Sequence, residues 1–165
     1  MWQDTGFYQD DQPDTAASMQ LLENLLVSVP AGYRNLSPDA LLTPPAPGKW
    51  SRQQVLGHLI DSAINNLKRF TDIQLTEEAY QVQVYRQDGL VAVNHYQDLP
   101  LEHLLNLWEA LNRQIILVVN RIPPDKLGYK LAPQYQQTGT KTLGWLICDY
   151  VAHMLHHFRA TGLVV

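Results

Sequence analysis

The stretch D-Y-V-A-H-M-L-H-H-F-R-A, residues 149–160, holds three of the chain's six histidines. Its apolar residues recur with helical spacing and native sequence continues past it, so it reads as an amphipathic helix. On a helix, positions i and i+4 lie on one face, one turn apart. His153 and His157 have that spacing, and two imidazoles so placed can share one metal ion, as in other H-x-x-x-H helical sites. His156 is the i+3 alternative to His157, and one of that adjacent pair must point elsewhere. The competing reading is a solvated face or a hydrogen-bonded core histidine.

A metal ion needs further ligands. Cys148 lies about 140° around the helix from His153 and reads as a packed thiol. His95 falls in a connection and His103 at the start of a helix, and both read as surface residues. His58 is different. It stands in V-L-G-H-L-I-D-S, and on a helix it shares a stripe with Ser62, Asn65 and Arg69, with Asp61 beside them. That stripe reads either as the solvent face of an amphipathic helix or as the wall of a pocket. Three histidines from two helices would resemble a catalytic site, because structural zinc fills four positions with protein ligands whereas catalytic zinc keeps one for water. Such an ion would lower the pKa of a bound water or thiol. Neutral imidazole suits nickel, zinc, iron and copper alike. Asp61 and Asp149 are candidate acceptors for ring N–H groups. Asp149, one turn before His153, is also a candidate fourth ligand. Arg69 is a candidate contact for an anionic substrate group, since a guanidinium grips a carboxylate bidentately. Glu77, Glu78, Glu102 and Glu109 lie far from the histidines in sequence and offer no evident general base. No serine-triad signal is present.

The elements that must position these groups are helical. Asp14 reads as the N-cap of a helix running to Pro30, with Leu21, Leu22, Leu25, Leu26 and Val29 as its apolar stripe. Ser37-Pro38 opens a short helix through Leu42, and T-P-P-A-P-G, 43–48, is a stiff linker. Ser51-x-x-Gln54 is a capping box, with Trp50 placed to staple onto Val55 or nearby. The helix that it opens is expected to reach about Leu75. Residues 77–97 lack helical period and read as a long connection, with slight β character at Val82–Tyr85 and Leu90–Val93. A loop of that length is usually functional or disordered. A further helix runs from about Pro100 to Ile122, apolar around much of its circumference. The last follows Thr140 or Thr142 and continues to about Thr161, with Gly162 past its end. The expected architecture is an all-α bundle: an N-terminal arm, 1–13, and one domain, 14–165, with no second domain to supply a substrate site.

Composition narrows the function. Apolar residues make up 45% of the 165 and the net charge is −4, which suits a domain with a real core and argues against a nucleic-acid partner. No apolar run is long enough to span a bilayer. The acidic start does not read as a signal peptide, and a single cysteine allows no intrachain disulfide. The expectation is a cytoplasmic protein with no membrane partner.

Three segments taken together resemble the DinB/YfiT-like superfamily: P-G-K-W-S-x-x-Q-V-L-G-H-L-I-D-S, then Y-R-Q-D followed by H-Y-Q-D-L-P-L-E-H-L-L-N-L-W-E-A-L-N-R, then L-G-W-L-I-C-D-Y-V-A-H-M-L-H-H. The resemblance covers roughly residues 14–160. It implies a four-helix bundle of up-down-down-up topology and a divalent metal (nickel, zinc, iron or manganese) held near one end. The implied ligands are His58, His153 and His157, which leaves His156 as a non-ligating imidazole. It also implies a homodimer and a small-molecule substrate. The activity would be that of a metal-dependent hydrolase or, as in some relatives, transfer of a low-molecular-weight thiol to an electrophile. A non-catalytic ligand-binding or stress-response module is the remaining alternative. The connection 77–97 and the N-terminal arm would have to cover the metal, with Tyr80, Tyr85 and Tyr96 as candidate lid residues.

Overall fold

A computed structural model describes residues 7–8, 12–132 and 141–163. Four long helices carry the fold: α1 (Thr15–Arg34), α3 (Arg52–Asp72), α5 (Leu101–Val119) and α6 (Leu143–Ala160), with two short ones, α2 (Pro38–Leu42) and α4 (Gln87–Val93), between them. Among the described residues, β structure is limited to isolated bridges, Tyr80 with Leu131 and Lys130 with Thr142.

Contacts fix the helix directions. Arg34 at the end of α1 pairs with Glu102 at the start of α5 at 2.8 Å, so these two run antiparallel. Tyr33 and Phe158 meet edge-to-face near the C-terminal ends of α1 and α6, so these run parallel. The Tyr33 hydroxyl donates to the Arg52 carbonyl at the start of α3, which sends α3 the opposite way to α1. The order is therefore up, down, down, up. Two consecutive long helices running in the same direction demand a connection that travels back along the bundle. That requirement explains why residues 73–100 form such a long connection.

The core draws on all four long helices. Leu22, Leu25, Leu56, Leu59, Leu104, Trp108, Ile147 and Phe158 are all sealed from solvent. Helix α1 continues past Pro30, where the sequence suggested a stop. Pro30 falls in the last turn, where only one backbone bond is lost, and Tyr33 beyond it is fully buried with its hydroxyl satisfied. Helix α5 ends at Val119, three residues before the expected Ile122. The cap of α6 is Thr142, whose side chain accepts from the Trp145 N–H. The alternative, Thr140, lies outside the described residues.

The connection is more ordered than its sequence suggests. Leu90–Val93 belongs to α4 rather than to a strand. α4 lies against α3 and buries Val91, so tertiary packing overrides weak local preference. A turn of 3-10 helix at Tyr96–Asp98 follows. The Gln53 side-chain amide on α3 donates to the carbonyls of Tyr96, Gln97 and Leu99. The returning chain is thereby fastened beside the N-terminal end of α3.

The capping box at that end is complete. Ser51 Oγ accepts from the Gln54 N–H at 3.1 Å and Gln54 Oε1 accepts from the Ser51 N–H at 2.9 Å. Ser51 Oγ also donates to Gln97 Oε1 at 2.6 Å. Ser51→Ala is expected to lower stability by about 1–2 kcal/mol, read as a lower urea midpoint with an unchanged slope.

Candidate metal centre

Helices α3 and α6 run antiparallel and bring three imidazoles together. His58 lies two turns into α3, and His153 and His157 lie one turn apart on α6. His58 Nε2 is 3.2 Å from His153 Nε2, and His157 Nε2 is 3.0 Å from the same atom. All three donor atoms lie within 4.8 Å of one another. At such distances one proton can serve only one N···N contact, and no tautomer satisfies three facing nitrogens fully. A metal ion at 2.0–2.1 Å from each nitrogen in tetrahedral geometry would set them about 3.3 Å apart. The donor set therefore fits a divalent ion, with positions to spare for exogenous ligands.

Burial keeps the imidazoles neutral, the form that a metal requires. His58 is lowered to about 3, first by desolvation and then by His157. His157 is lowered to about 4, by desolvation and then His156. His153 is pushed well below the ordinary range, by desolvation first and then by its neighbours. Among the described residues, no carboxylate or thiol joins this cluster.

The polar stripe of α3 faces the interior of the bundle and not solvent. His58, Asp61, Ser62, Asn66 and Arg69 are all buried. Asn66 occupies the place suggested for Asn65: it donates to the Ser62 carbonyl from a buried position, whereas Asn65 is half-buried and donates to the Asp61 carbonyl. The Arg69 guanidinium donates to Asn66 Oδ1 and to the Gln83 carbonyl, and it lies 5.6 Å from the centre of the Tyr85 ring. Its charge adds a small downward pull on His153 and Asp149, secondary to burial in both.

The two aspartates have other occupations. Asp61 Oδ1 accepts from the Tyr96 hydroxyl at 2.7 Å and from Asn94 Nδ2 at 3.0 Å. His58 Nδ1 is buried without a hydrogen-bond partner in this structure, so Asp61 does not orient that ring. Burial raises the Asp61 pKa, against the opposing hydrogen bonds of Tyr96 and Asn94. Asp149 Oδ1 accepts the backbone N–H groups of Phe7 and Tyr8. Among the described residues it does not join the histidine cluster, and its bonds run to the arm. Its pKa is raised by burial against those same bonds.

Aromatic rings flank the cluster. Trp50 lies 4.9 Å from the His58 ring, and Phe7 lies 5.0 Å from His153 and 4.8 Å from His156. Sequence reasoning passed over both. Trp50 read as a helix staple, and nothing local marks Phe7. Tyr96 faces Asp61 and is not a lid. Tyr80 pairs its backbone with residues 130 and 132. Tyr85 stays beside Arg69. Cys148 is a buried thiol, as expected, with its pKa raised by desolvation. His95 and His103 are exposed, also as expected.

Comparison with known proteins places the chain in context. The family model of the DinB superfamily matches residues 19–160. A Bacillus cereus protein is 25% identical over 139 residues, covering 84% of this chain and 78% of that one. A protein of Oceanobacillus iheyensis is 27% identical over 138 residues, covering 84% and 74%. Both carry the name "putative metal-dependent hydrolase". Among solved structures, YfiT from Bacillus subtilis superposes with a TM-score of 0.78 at 21% identity, over 95% of this chain and 94% of that one. It is described as "a probable metal-dependent hydrolase with an unusual four-helix bundle topology". At that identity the likeness speaks for the fold, and it agrees with the helix directions found here.

Proposed function

We propose a function from one premise: the chain belongs to the DinB superfamily. The reading is a metal-dependent hydrolase acting on a small molecule, with His58, His153 and His157 as the three protein ligands of a divalent ion. The observation that carries it is the convergence of three neutral imidazoles, two buried and one half-buried, with His153 Nε2 3.2 Å from that of His58 and 3.0 Å from that of His157 across α3 and α6. The relatives' names support the same reading. Such an ion supplies Lewis acidity, lowering the pKa of an oxygen or sulfur nucleophile at its open position.

The chain's own residues do the rest. Burial holds the imidazoles in their ligating form. Trp50 covers one side of His58 and limits water there. Arg69 offers a cation for an anionic group of the substrate. His156 stays outside the ligand set, and Asp149 fastens the arm.

A thiol fits the same donor set as water, so transfer of a low-molecular-weight thiol is the alternative activity, and ligand binding without turnover is the third. The ion itself is nickel, zinc, iron or manganese. We place the protein in the cytoplasm: no helix among the described residues is long and apolar enough to cross a membrane. We also take it to be a homodimer of one bundle domain, 14–165, with residues 1–13 as its arm. The groove between α1 and α5, where Val27 and Leu117 stand exposed, supports a self-association face.

The test is a screen of ester, amide and thiol-transfer substrates on protein as purified, repeated after chelation and after restoring each metal. Activity lost on chelation and regained with one metal, at constant helical circular dichroism, is the expected result. Turnover that survives complete stripping would refute the reading. So would unfolding on stripping, which marks a structural ion.

A further inference from the structure

Ahead of α1, Phe7 and Tyr8 lie beside the histidine cluster, against Asp149, His153 and His156 of α6. Two backbone N–H groups, those of Phe7 and Tyr8, converge on one carboxylate oxygen of Asp149. That carboxylate is 4% exposed, so its hydrogen bonds act in a low dielectric and are of the stronger, charge-assisted kind. Asp149 stands one turn before His153 on α6. The bond therefore sets the Phe7 ring down on His153 and His156. Pro13, where the chain turns into α1, lies against Gly144 in the first turn of α6: a Cβ at Gly144 would come within 3.2 Å of its ring. The arm is thus fixed at two points along one helix.

The surroundings assign different roles to the rings. Trp50 belongs to the rigid entry of α3, next to the capping box. Phe7 is 40% exposed, with its own N–H and that of Tyr8 on Asp149 and its ring on His153 and His156. His153 beneath it is 8% exposed, and His156 beside it is exposed.

We propose that Phe7, latched through Asp149, is the gate residue of the histidine site: a ligand reaches His153 by displacing this ring, and the apolar face of Phe7 then forms one wall against it. This rests on the proposed site for its purpose but not for its geometry. The ligands favoured by such a wall carry a flat or apolar portion next to the group that meets the metal. The latch is a salt-insensitive device, because neutral backbone N–H groups and not a side-chain cation hold the carboxylate.

The experiment uses metal-free full-length protein and diethyl pyrocarbonate, which modifies neutral, accessible imidazoles, with sites located by peptide mass spectrometry. In the parent, His156 should react quickly and His153 slowly. Phe7→Ala should raise the His153 rate at least about tenfold, since two aromatic contacts are lost, while His58 beneath Trp50 keeps its slow rate. Asp149→Ala should give the same selective rise by freeing the strap. A His153 rate in Phe7→Ala equal to that of the parent would overturn the proposal. A rise shared equally by His58 would also overturn it, since that reports general loosening. On metal-loaded protein, Phe7→Ala should speed both uptake and chelator-driven release with little change in affinity. Failure to bind any metal would count against the proposed site and leave the labelling result to judge the gate.

Discussion

His153→Ala is expected to abolish metal retention. The parent protein should carry close to one divalent ion per chain by plasma mass spectrometry, and the variant less than about a tenth of that. His153 Nε2 is the shared neighbour of the other two donor atoms, so its removal leaves His58 and His157 as a pair without their centre. Loss of an outer-shell partner already costs about 10–100-fold in affinity, and loss of a direct ligand costs more. His156→Ala is the control. His156 lies three residues after His153 and directly before His157, with its ring against Phe7 and the edge of His157, and the variant should keep the ion. Equal metal content in the two variants would refute the ligand assignment. The helices should survive in both, because the core that holds α3 to α6 is apolar and lies mainly elsewhere along them.

Gly57→Ala should be the most damaging small substitution in the bundle. Helix propensity alone predicts a gain of about 1 kcal/mol, since alanine outranks glycine in a helix interior. Packing reverses the sign. A Cβ at position 57 would lie 2.2 Å from Cγ and Cδ2 of Tyr96 and 2.6 Å from its Cβ. These are the root of the side chain and not its flexible end, so the backbone of the 3-10 turn must move. That movement pulls the Tyr96 hydroxyl from Asp61 and strains the Gln53 bonds to the same turn. Overpacking and an unsatisfied buried carboxylate together should cost about 3 kcal/mol, which is roughly 10 °C in melting temperature for a chain of this size. The double variant is decisive. In a Tyr96→Gly background, which removes the Cβ along with the ring, the overlap disappears, and Gly57→Ala should become neutral or stabilising, a strong coupling between positions in contact. Additive effects would show that the ring is not what the glycine accommodates.

Glycine 57 also shows where sequence reading stops. The pattern V-L-G-H-L-I-D-S marks a helix carrying His58, but nothing local explains its glycine. The explanation arrives from a residue 39 positions later, on the returning connection. The same holds for Asp61. Its spacing from His58 suggests a partner for the imidazole, yet Tyr96 and Asn94 reach it from that connection. Asp149 likewise reads as a ligand by its spacing from His153. It is claimed instead by the backbone of Phe7 and Tyr8, more than 140 positions earlier.

Sequence by itself determined what short-range physics controls. The caps at Asp14, Ser37 and Ser51 are local hydrogen bonds between residues three apart, and the structure contains each of them, while of the two candidates for the last helix it uses Thr142. The 3.6-residue period placed His153 and His157 on one face and His58 in line with Ser62 and Arg69. Motif order suggested the family and with it the bundle. Tertiary structure alone decided which side of α3 faces inward, because a stripe of histidine, serine, amide and arginine satisfies either a solvent face or a polar interior. It also decided that residues 87–93 form a helix, since packing on α3 outweighs a weak local preference. And it alone assigned the aspartates, Trp50 and Phe7, whose partners lie on other elements and are fixed only when the chain closes on itself.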